Sequence, residues 1–214
     1  MPIDPDVAIG AELGSVDFSW TESDVLLYHL GIGATDLSYT LEGPALQVLP
    51  EHIAAILERE PEIAKLAERF VGAEHAFYVG RAAGHAIAQE GALKLKEISY
   101  LHAEAYPASE LKHGPLALIE PGTPTVMVLP RDDLFSKNLS TVEEIKARGG
   151  PVIAITHPGE APAFDGVFEV PALEPELDPL LLNIPLQLLA YHVALQRGTN
   201  IDQPRNLAKS VTVE

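Results

Sequence analysis

The chain of 214 residues contains no cysteine. It can therefore form no disulfide, no thiolate metal site and no thiol nucleophile, and this composition is typical of a reducing compartment. Basic residues are also scarce, because 14 Lys and Arg stand against 31 Asp and Glu and give a net charge of −17. Charge of this sign is repelled by phosphate backbones and by anionic lipid, so neither nucleic acid nor a membrane is a predicted partner.

The sequence also lacks an uninterrupted hydrophobic run. Its most apolar stretch, 177–195, contains Asp178, Asn183 and His192 as well as two prolines. A membrane-spanning helix tolerates such residues poorly, so a buried helix of a water-soluble domain is predicted instead. The first ten residues carry two aspartates and no basic residue, unlike a secretory signal. The predicted location is therefore the cytoplasm.

Charge and hydrophobic pattern divide the chain into two unlike segments. Residues 1–49 contain eight acidic residues and no Lys or Arg, whereas residues 50–214 carry all 14 basic residues. The second segment alternates short β-branched runs with amphipathic stretches, which is typical of βα units. We predict a boundary near Pro50, with a short N-terminal appendage before it. After it we predict an α/β domain whose parallel sheet has helices on both faces.

The predicted elements follow from hydrophobic periodicity and from turn residues. The predicted strands are 36–40 and 45–49 in the first segment and 76–79, 102–106, 125–129, 152–156 and 167–170 in the second. The predicted helices of the second segment are 51–71, 84–101, 110–118, 134–148 and 177–197. Pro61 marks a break in the first of these helices.

One stripe of the second predicted helix carries three ionisable residues. Glu90, Lys94 and Glu97 are spaced i, i+4 and i+7, so their side chains fall within an arc of about 60°. A separate stripe of apolar residues gives this helix its packing face. The charged stripe is compatible with an exposed ion pair worth about 0.3–0.5 kcal/mol, or with a cavity at the carboxyl end of the sheet.

Three further positions are candidates for chemistry. The turn containing Gly80 and Arg81 follows a strand and precedes a helix, where free N–H groups can receive a sugar phosphate; a simple tight turn is the alternative. His113 stands beside a Gly-Pro pair and can shuttle protons near neutral pH, although a lone histidine is more often structural. Lys209 lies in a polar tail and, if desolvated, can form a Schiff base.

Two long motifs resemble a known family. EGALKLKEISYLHAEAYPASELKHGPLALI (90–119) and IPLQLLAYHVALQRGTNIDQPRNLAKSVTVE (184–214) are similar to the C-terminal end of glutamine-fructose-6-phosphate aminotransferases, also called glucosamine-6-phosphate synthases. The resemblance extends over residues 51–214. It implies a sugar isomerase (SIS) domain, flavodoxin-like, with a five-stranded parallel sheet in a three-layer αβα sandwich.

The resemblance also implies an activity and roles for the candidate residues. Fructose 6-phosphate and amino nitrogen would give glucosamine 6-phosphate through ring opening, imine formation and a proton shift between C1 and C2. The implied general base is Glu97, with Lys94 and Glu90 as its charged companions. His113 is the implied ring-opening residue, and Lys209 is the implied Schiff-base amine. Gly80, Arg81 and Ala208 are the implied substrate-binding residues. No cofactor is implied, and a homodimer is implied because the histidine comes from a neighbouring subunit.

The chain departs from this family in three respects. It has no cysteine for a glutaminase reaction, and no Ser/Thr-rich phosphate loop of a preceding SIS domain. Gly80-Arg81-Ala82 also stands where the family usually has Gly-Arg-Gly. Residues 1–49 are similar instead to the amino-terminal segment of MaoC-like hot-dog enoyl-CoA hydratases, but without that family's catalytic Asp and His, so no hydratase activity is expected.

Three hypotheses about function follow. The first is a sugar-phosphate isomerase and aminotransferase domain that acts with ammonia. The second is a non-catalytic module that binds sugar phosphate or mediates dimerisation. The third is a truncated, inactive fusion whose exposed docking faces make it aggregate.

Overall fold

The computed structural model describes residues 44–160 and 164–207. It begins with two consecutive helices, α1 (Pro44–Glu58) and α2 (Glu60–Ala67). The predicted break at Pro61 is confirmed, because this proline occupies the first turn of α2, where its missing N–H has no helical partner to lose.

Five strands form one parallel sheet. They are β1 (His75–Gly80), β2 (His102–Pro107), β3 (Thr125–Leu129), β4 (Val152–Thr156) and β5 (Gly166–Glu169). The strand order is β2-β1-β3-β4-β5, and every neighbouring pair is parallel. The predicted α/β fold with a five-stranded parallel sheet is therefore confirmed, and the strands of the second segment lie within about two residues of their predicted bounds.

Helices cover both faces of the sheet. After β1 comes α3 (Ala83–Ser99), after β3 comes α4 (Phe135–Lys146), and after β5 comes α5 (Asp178–Gln196). Apolar residues of α1, α2, α3 and α5 pack in one core cluster with Tyr78 of β1. Phe77 and Val79 point to the opposite face and pack with α4 and with the segment after β2. This alternation along β1 separates the two cores.

Two predicted elements are corrected. Residues 44–50 are helical, so the strand predicted at 45–49 is wrong; a short apolar run does not by itself distinguish the two structures. The helix predicted at 110–118 consists of two short 3₁₀ helices, Leu111–His113 and Pro115–Leu118. Pro115 separates them because it disfavours helical geometry at the preceding residue and donates no N–H. The strand predicted at 36–40 lies outside the described residues.

Within the described ranges, no helix combines the length and apolarity that crossing a membrane requires. The prediction of a buried helix at 177–197 is confirmed by α5, in which Leu182, Leu186 and Leu189 are each at most 1% exposed.

Candidate functional site

The charged stripe of α3 forms a connected ion-pair group. Lys94 Nζ lies 2.7 Å from Glu97 Oε2 and 3.7 Å from Glu90 Oε1. The side chains of Glu90, Lys94 and Glu97 are 42%, 35% and 30% exposed, so each is partly sheltered and still open to a ligand. The hydrogen bond to Glu97, followed by the charges of both glutamates, raises the pKa of Lys94. The ammonium form of Lys94 is therefore favoured.

The apolar stripe holds this helix against the rest of the domain. Ile87 and Leu95 are buried, and an added Cβ at Gly91 would stand 2.8 Å from both Leu186 of α5 and Tyr78 of β1. The small residue thus allows α3 to approach β1 and α5 closely. The charged stripe is held in place by packing on the adjacent side of the same helix.

The charged stripe extends away from the carboxyl end of the sheet, and none of its three residues lines the cavity that lies at that end. Helix α3 begins at that end with Ala83 and runs back along the sheet, so Glu97 lies about 21 Å further along the helix axis. A cavity of about 500 Å³ lies at the carboxyl end, and it is lined by loop residues, by the start of α5, and by Ala83 and Ile87 from the start of α3. Its polar lining residues are Arg131, Asp132, His157 and Asp178.

His157 is a buried residue of this cavity that sequence reasoning did not select. It follows β4 directly and is 3% exposed, with Nε2 3.5 Å from Asp178 Oδ2. Burial, together with the charge of Arg131, lowers the pKa of His157, while the charges of Asp178 and Asp132 act in the opposite direction. Arg131 follows β3, and its Nε donates to the His157 carbonyl. In the sequence, His157 and Arg131 both follow predicted strands, and this position at strand ends could have identified them as candidates.

The predicted phosphate turn is strained and tightly packed. A Cβ at Gly80 would stand 2.4 Å from the carbonyl group of Gly84, so only glycine fits there. Ala82 has φ +47°, a conformation that costs a non-glycine residue about 1–3 kcal/mol. Arg81 Nε is buried and has no hydrogen-bond partner among the described residues. Phosphate binding by Gly80 and Arg81 stays a prediction.

His113 belongs to a segment that packs on the other face of the sheet from α3. It ends the 3₁₀ helix Leu111–His113, whose Leu111 packs in the core cluster of α4, whereas α3 packs in the opposite cluster. His113 itself is exposed. One chain therefore brings Glu90, Lys94 and Glu97 together without His113. The remaining two candidates, Ala208 and Lys209, lie outside the described residues.

Among residues 44–160 and 164–207, no group of three or more His, Asp or Glu side chains is arranged to hold a metal ion.

Comparison with known proteins agrees with this fold. The family model of the SIS domain matches residues 69–197. Glutamine–fructose-6-phosphate aminotransferase [isomerizing] of Escherichia coli strain K12 is 52% identical over 172 residues, and the protein of that name from Caldanaerobacter subterraneus is 49% identical over 172 residues. Each match covers 79% of this chain and 28% of the relative, so the chain spans just over a quarter of the length of these curated proteins.

A solved structure is also similar. The C-terminal domain of glucosamine-fructose-6-phosphate aminotransferase from Francisella tularensis superposes with a TM-score of 0.76 at 42% identity, covering 85% of this chain and 52% of that one. The resemblance of residues 1–49 to MaoC-like hydratases receives no support from these comparisons and concerns residues outside the described ranges. The fold, the strand order and the match over residues 69–197 lead to one conclusion: the chain belongs to the SIS domain family.

Proposed function

We propose that this chain is the isomerase domain of a glucosamine-6-phosphate synthase, which converts fructose 6-phosphate and ammonia into glucosamine 6-phosphate and water. The observation that carries the proposal is the contact of 2.7 Å between Lys94 Nζ and Glu97 Oε2 on a partly open helix face. It stands in a chain 52% identical over 172 residues to a glutamine–fructose-6-phosphate aminotransferase [isomerizing]. The pair supplies a carboxylate base beside a permanent cation.

The chemistry assigns a step to each candidate residue. His113 moves the proton that opens the sugar ring, which exposes the C2 carbonyl. The Lys209 amine adds to C2 and releases water, and ammonia then displaces the lysine to leave an imine at C2. Glu97 removes a proton from C1 and returns it to C2, so that C1 becomes an aldehyde and C2 carries the amine.

Lys94 stabilises the proton-transfer step. Negative charge accumulates on the enolamine when C1 loses its proton, and a preorganised ammonium group lowers the energy of that state. A lysine is already charged at neutral pH, and the neighbouring glutamates raise the pKa of Lys94 further and so favour its ammonium form. Glu90 holds the ammonium from the other side, at 3.7 Å.

The site needs a second chain. Within one chain, Leu111, two residues before His113, packs in the core cluster of α4, whereas α3 packs in the cluster on the other face of the sheet. We therefore infer a homodimer in which His113 of one subunit completes the site of the other. The substrate, fructose 6-phosphate, and the cytoplasmic location are part of the same proposal.

Ammonia is the proposed nitrogen source for this chain. Release of ammonia from glutamine in this family uses a cysteine, and this sequence contains none. Sugar-phosphate contact at Ala208 belongs to the same proposal, whereas Gly80 and Arg81, which precede α3 and are separated from Glu97 by about 21 Å along its axis, would bind phosphate at a separate place.

The test is product formation by the purified chain with fructose 6-phosphate and ammonium, measured as glucosamine 6-phosphate by mass spectrometry. Glu97→Gln is expected to lower the rate about 100-fold or more, since a positioned base contributes about 10²–10⁴-fold. Glu143→Gln, an exposed glutamate on α4, is the matched control and should retain the wild-type rate. Glutamine without ammonium should give no product.

Two outcomes would contradict the catalytic proposal. Stabilisation of the fold by fructose 6-phosphate without any product would favour the non-catalytic binding module. An aggregated chain in gel filtration, without a compact dimer, would favour the inactive fusion.

A further inference from the structure

Two histidines stand side by side at the amino end of the sheet. His75 is the first residue of β1 and His102 is the first residue of β2, and the two are paired in register on adjacent parallel strands. Their Nδ1 atoms are 3.0 Å apart, and the planes of their rings are nearly perpendicular, at 83°. Both side chains are exposed. The pair therefore offers two ring nitrogens to one ligand that arrives from solvent.

Glu104 holds His102 from the other end of its ring. Residues two apart on a strand share a face of the sheet, and Glu104 Oε1 lies 3.5 Å from His102 Nε2. The Tyr106 hydroxyl donates to Oε2 of the same carboxylate, and this hydrogen bond raises the pKa of Tyr106 to about 12. A carboxylate in this position favours the His102 tautomer that carries its proton on Nε2. The Nδ1 atom of His102 then presents a lone pair towards His75.

The separation of the two Nδ1 atoms fits one metal ion. Imidazole nitrogens bind zinc at about 2.0–2.1 Å and its first-row neighbours at similar distances, so nitrogens 3.0 Å apart subtend about 95° at a shared ion. Adjacent positions of a tetragonal ion are about 90° apart, whereas tetrahedral positions require nitrogens about 0.3 Å further apart. A small rotation of either exposed ring about its Cβ–Cγ bond directs both lone pairs to one point. Ni²⁺ and Cu²⁺ combine this geometry with a preference for imidazole.

We propose that His75 and His102 form a binding site for one divalent transition-metal ion, with Glu104 as the residue that orients His102. The two Nδ1 atoms are the protein ligands, and water takes the remaining positions. The ion would join the first residue of the edge strand β2 to the first residue of β1. The proposal is independent of the proposed function, because none of these three residues takes part in the reaction assigned to the charged stripe.

Calorimetric titration of the untagged full chain with Ni²⁺ at pH 7.5 measures the site. We expect one Ni²⁺ to bind per chain, and an excess of Mg²⁺, which prefers oxygen ligands, should not displace it. His75→Gln and His102→Gln should each weaken Ni²⁺ binding about 100-fold, because the second imidazole of a chelate binds intramolecularly. The matched control is His52→Gln, on α1, which should bind Ni²⁺ like the wild type.

Glu104→Gln tests the contact that orients His102. Glutamine keeps the size of the side chain and removes its charge, so we expect Ni²⁺ to bind about 10-fold more weakly, the loss typical of removing a carboxylate behind a metal-bound histidine. Glu143→Gln, at an exposed position of α4, should leave the affinity unchanged.

NMR of the wild type locates the ion without any variant. Paramagnetic Ni²⁺, added below stoichiometry, should broaden the imidazole signals of His75 and His102 before those of other histidines.

Three results would overturn the proposal in whole or in part. Absence of saturable Ni²⁺ binding to the wild type would mean that the two rings share only a hydrogen bond. Unchanged binding in both His75→Gln and His102→Gln would place the ion elsewhere on the chain. Unchanged binding in Glu104→Gln alone would overturn only the role of Glu104.

Discussion

At the scale of single residues, burial decides the chemistry of histidine in this protein. His113 was a candidate because it stands beside a Gly-Pro pair, and in the structure its side chain is exposed at the surface. His157, which precedes a Pro-Gly pair much as His113 precedes a Gly-Pro pair, is buried between the ends of two strands and the start of α5. Local sequence could not show which of the two histidines is buried, because burial arises from contacts with residues more than twenty positions away.

The lowered pKa of His157 predicts acid sensitivity of the fold. The unfolded chain binds a proton at this residue near pH 6.5 and the folded chain does so only at lower pH, so the unfolded state gains protons first as pH falls. The free energy of unfolding should therefore decline below about pH 6.5, with His157 contributing at most about 1.4 kcal/mol per pH unit. The contribution is fully present above that pH.

Urea denaturation at pH 7.5 and at pH 5.5 measures this effect. His157→Gln keeps a hydrogen-bond acceptor for the backbone N–H of Arg131 but cannot take up a proton in this range. The variant should lose less stability than the wild type between the two pH values, whereas His113→Gln, at an exposed position, should behave like the wild type. An equal loss in His157→Gln and wild type would show that this residue titrates normally.

At the scale of secondary structure elements, α3 combines two patterns that the sequence displayed separately. Both were recognisable as stripes at helical spacing, and both were correct in composition. The cavity at the carboxyl end does not include the charged stripe, because a helix that starts at that end of the sheet runs away from it over its length. Spacing along the chain defines which residues share a face, but the packing partner decides what that face meets.

Substitution of Gly91 tests how tightly α3 is packed. Alanine would raise helix propensity by about 1 kcal/mol, but its Cβ would come within 2.8 Å of Leu186 and of the fully buried Tyr78. Overpacking of this kind costs about 1–3 kcal/mol, so we expect Gly91→Ala to lower the free energy of unfolding by about 1 kcal/mol.

Chemical denaturation compares this variant with Gly122→Ala, where an added Cβ meets no atom within 4 Å. The control should change stability by less than about 0.5 kcal/mol. Increased stability of Gly91→Ala would mean that α3 moves away from β1 and α5 without cost, and that the charged stripe is held less firmly than the structure indicates.

At the scale of the whole molecule, the sheet separates the candidate residues. The charged stripe belongs to the side of α3, and His113 belongs to the side of α4. A twofold-symmetric dimer with composite sites would bring them together. In such a dimer each subunit contributes its charged stripe to one site and its His113 to the other.

Complementation between inactive variants tests the composite site. Glu97→Gln and His113→Ala should each be inactive, but co-expressed with separate tags they should recover about a quarter of wild-type activity. Half of the dimers are mixed, and one of the two sites in each mixed dimer contains both intact residues. Glucosamine 6-phosphate formation by the mixed population measures the recovery.

The control for complementation pairs Glu97→Gln with Lys94→Gln. Both residues lie on the same stripe of one chain, so no mixed dimer has an intact site and no activity should return. Absence of recovery in the Glu97→Gln and His113→Ala mixture as well would place the whole site within one subunit.

The sequence alone determined the class of this fold, the strands of its sheet and the shared face of Glu90, Lys94 and Glu97. Those properties depend on local periodicity, on turn residues and on the spacing of side chains around a helix. Only the tertiary structure decided that the charged stripe is remote from the carboxyl end, that His157 is buried and that His75 lies beside His102. These properties depend on contacts between residues far apart in the chain, and no local pattern records which distant segments will meet.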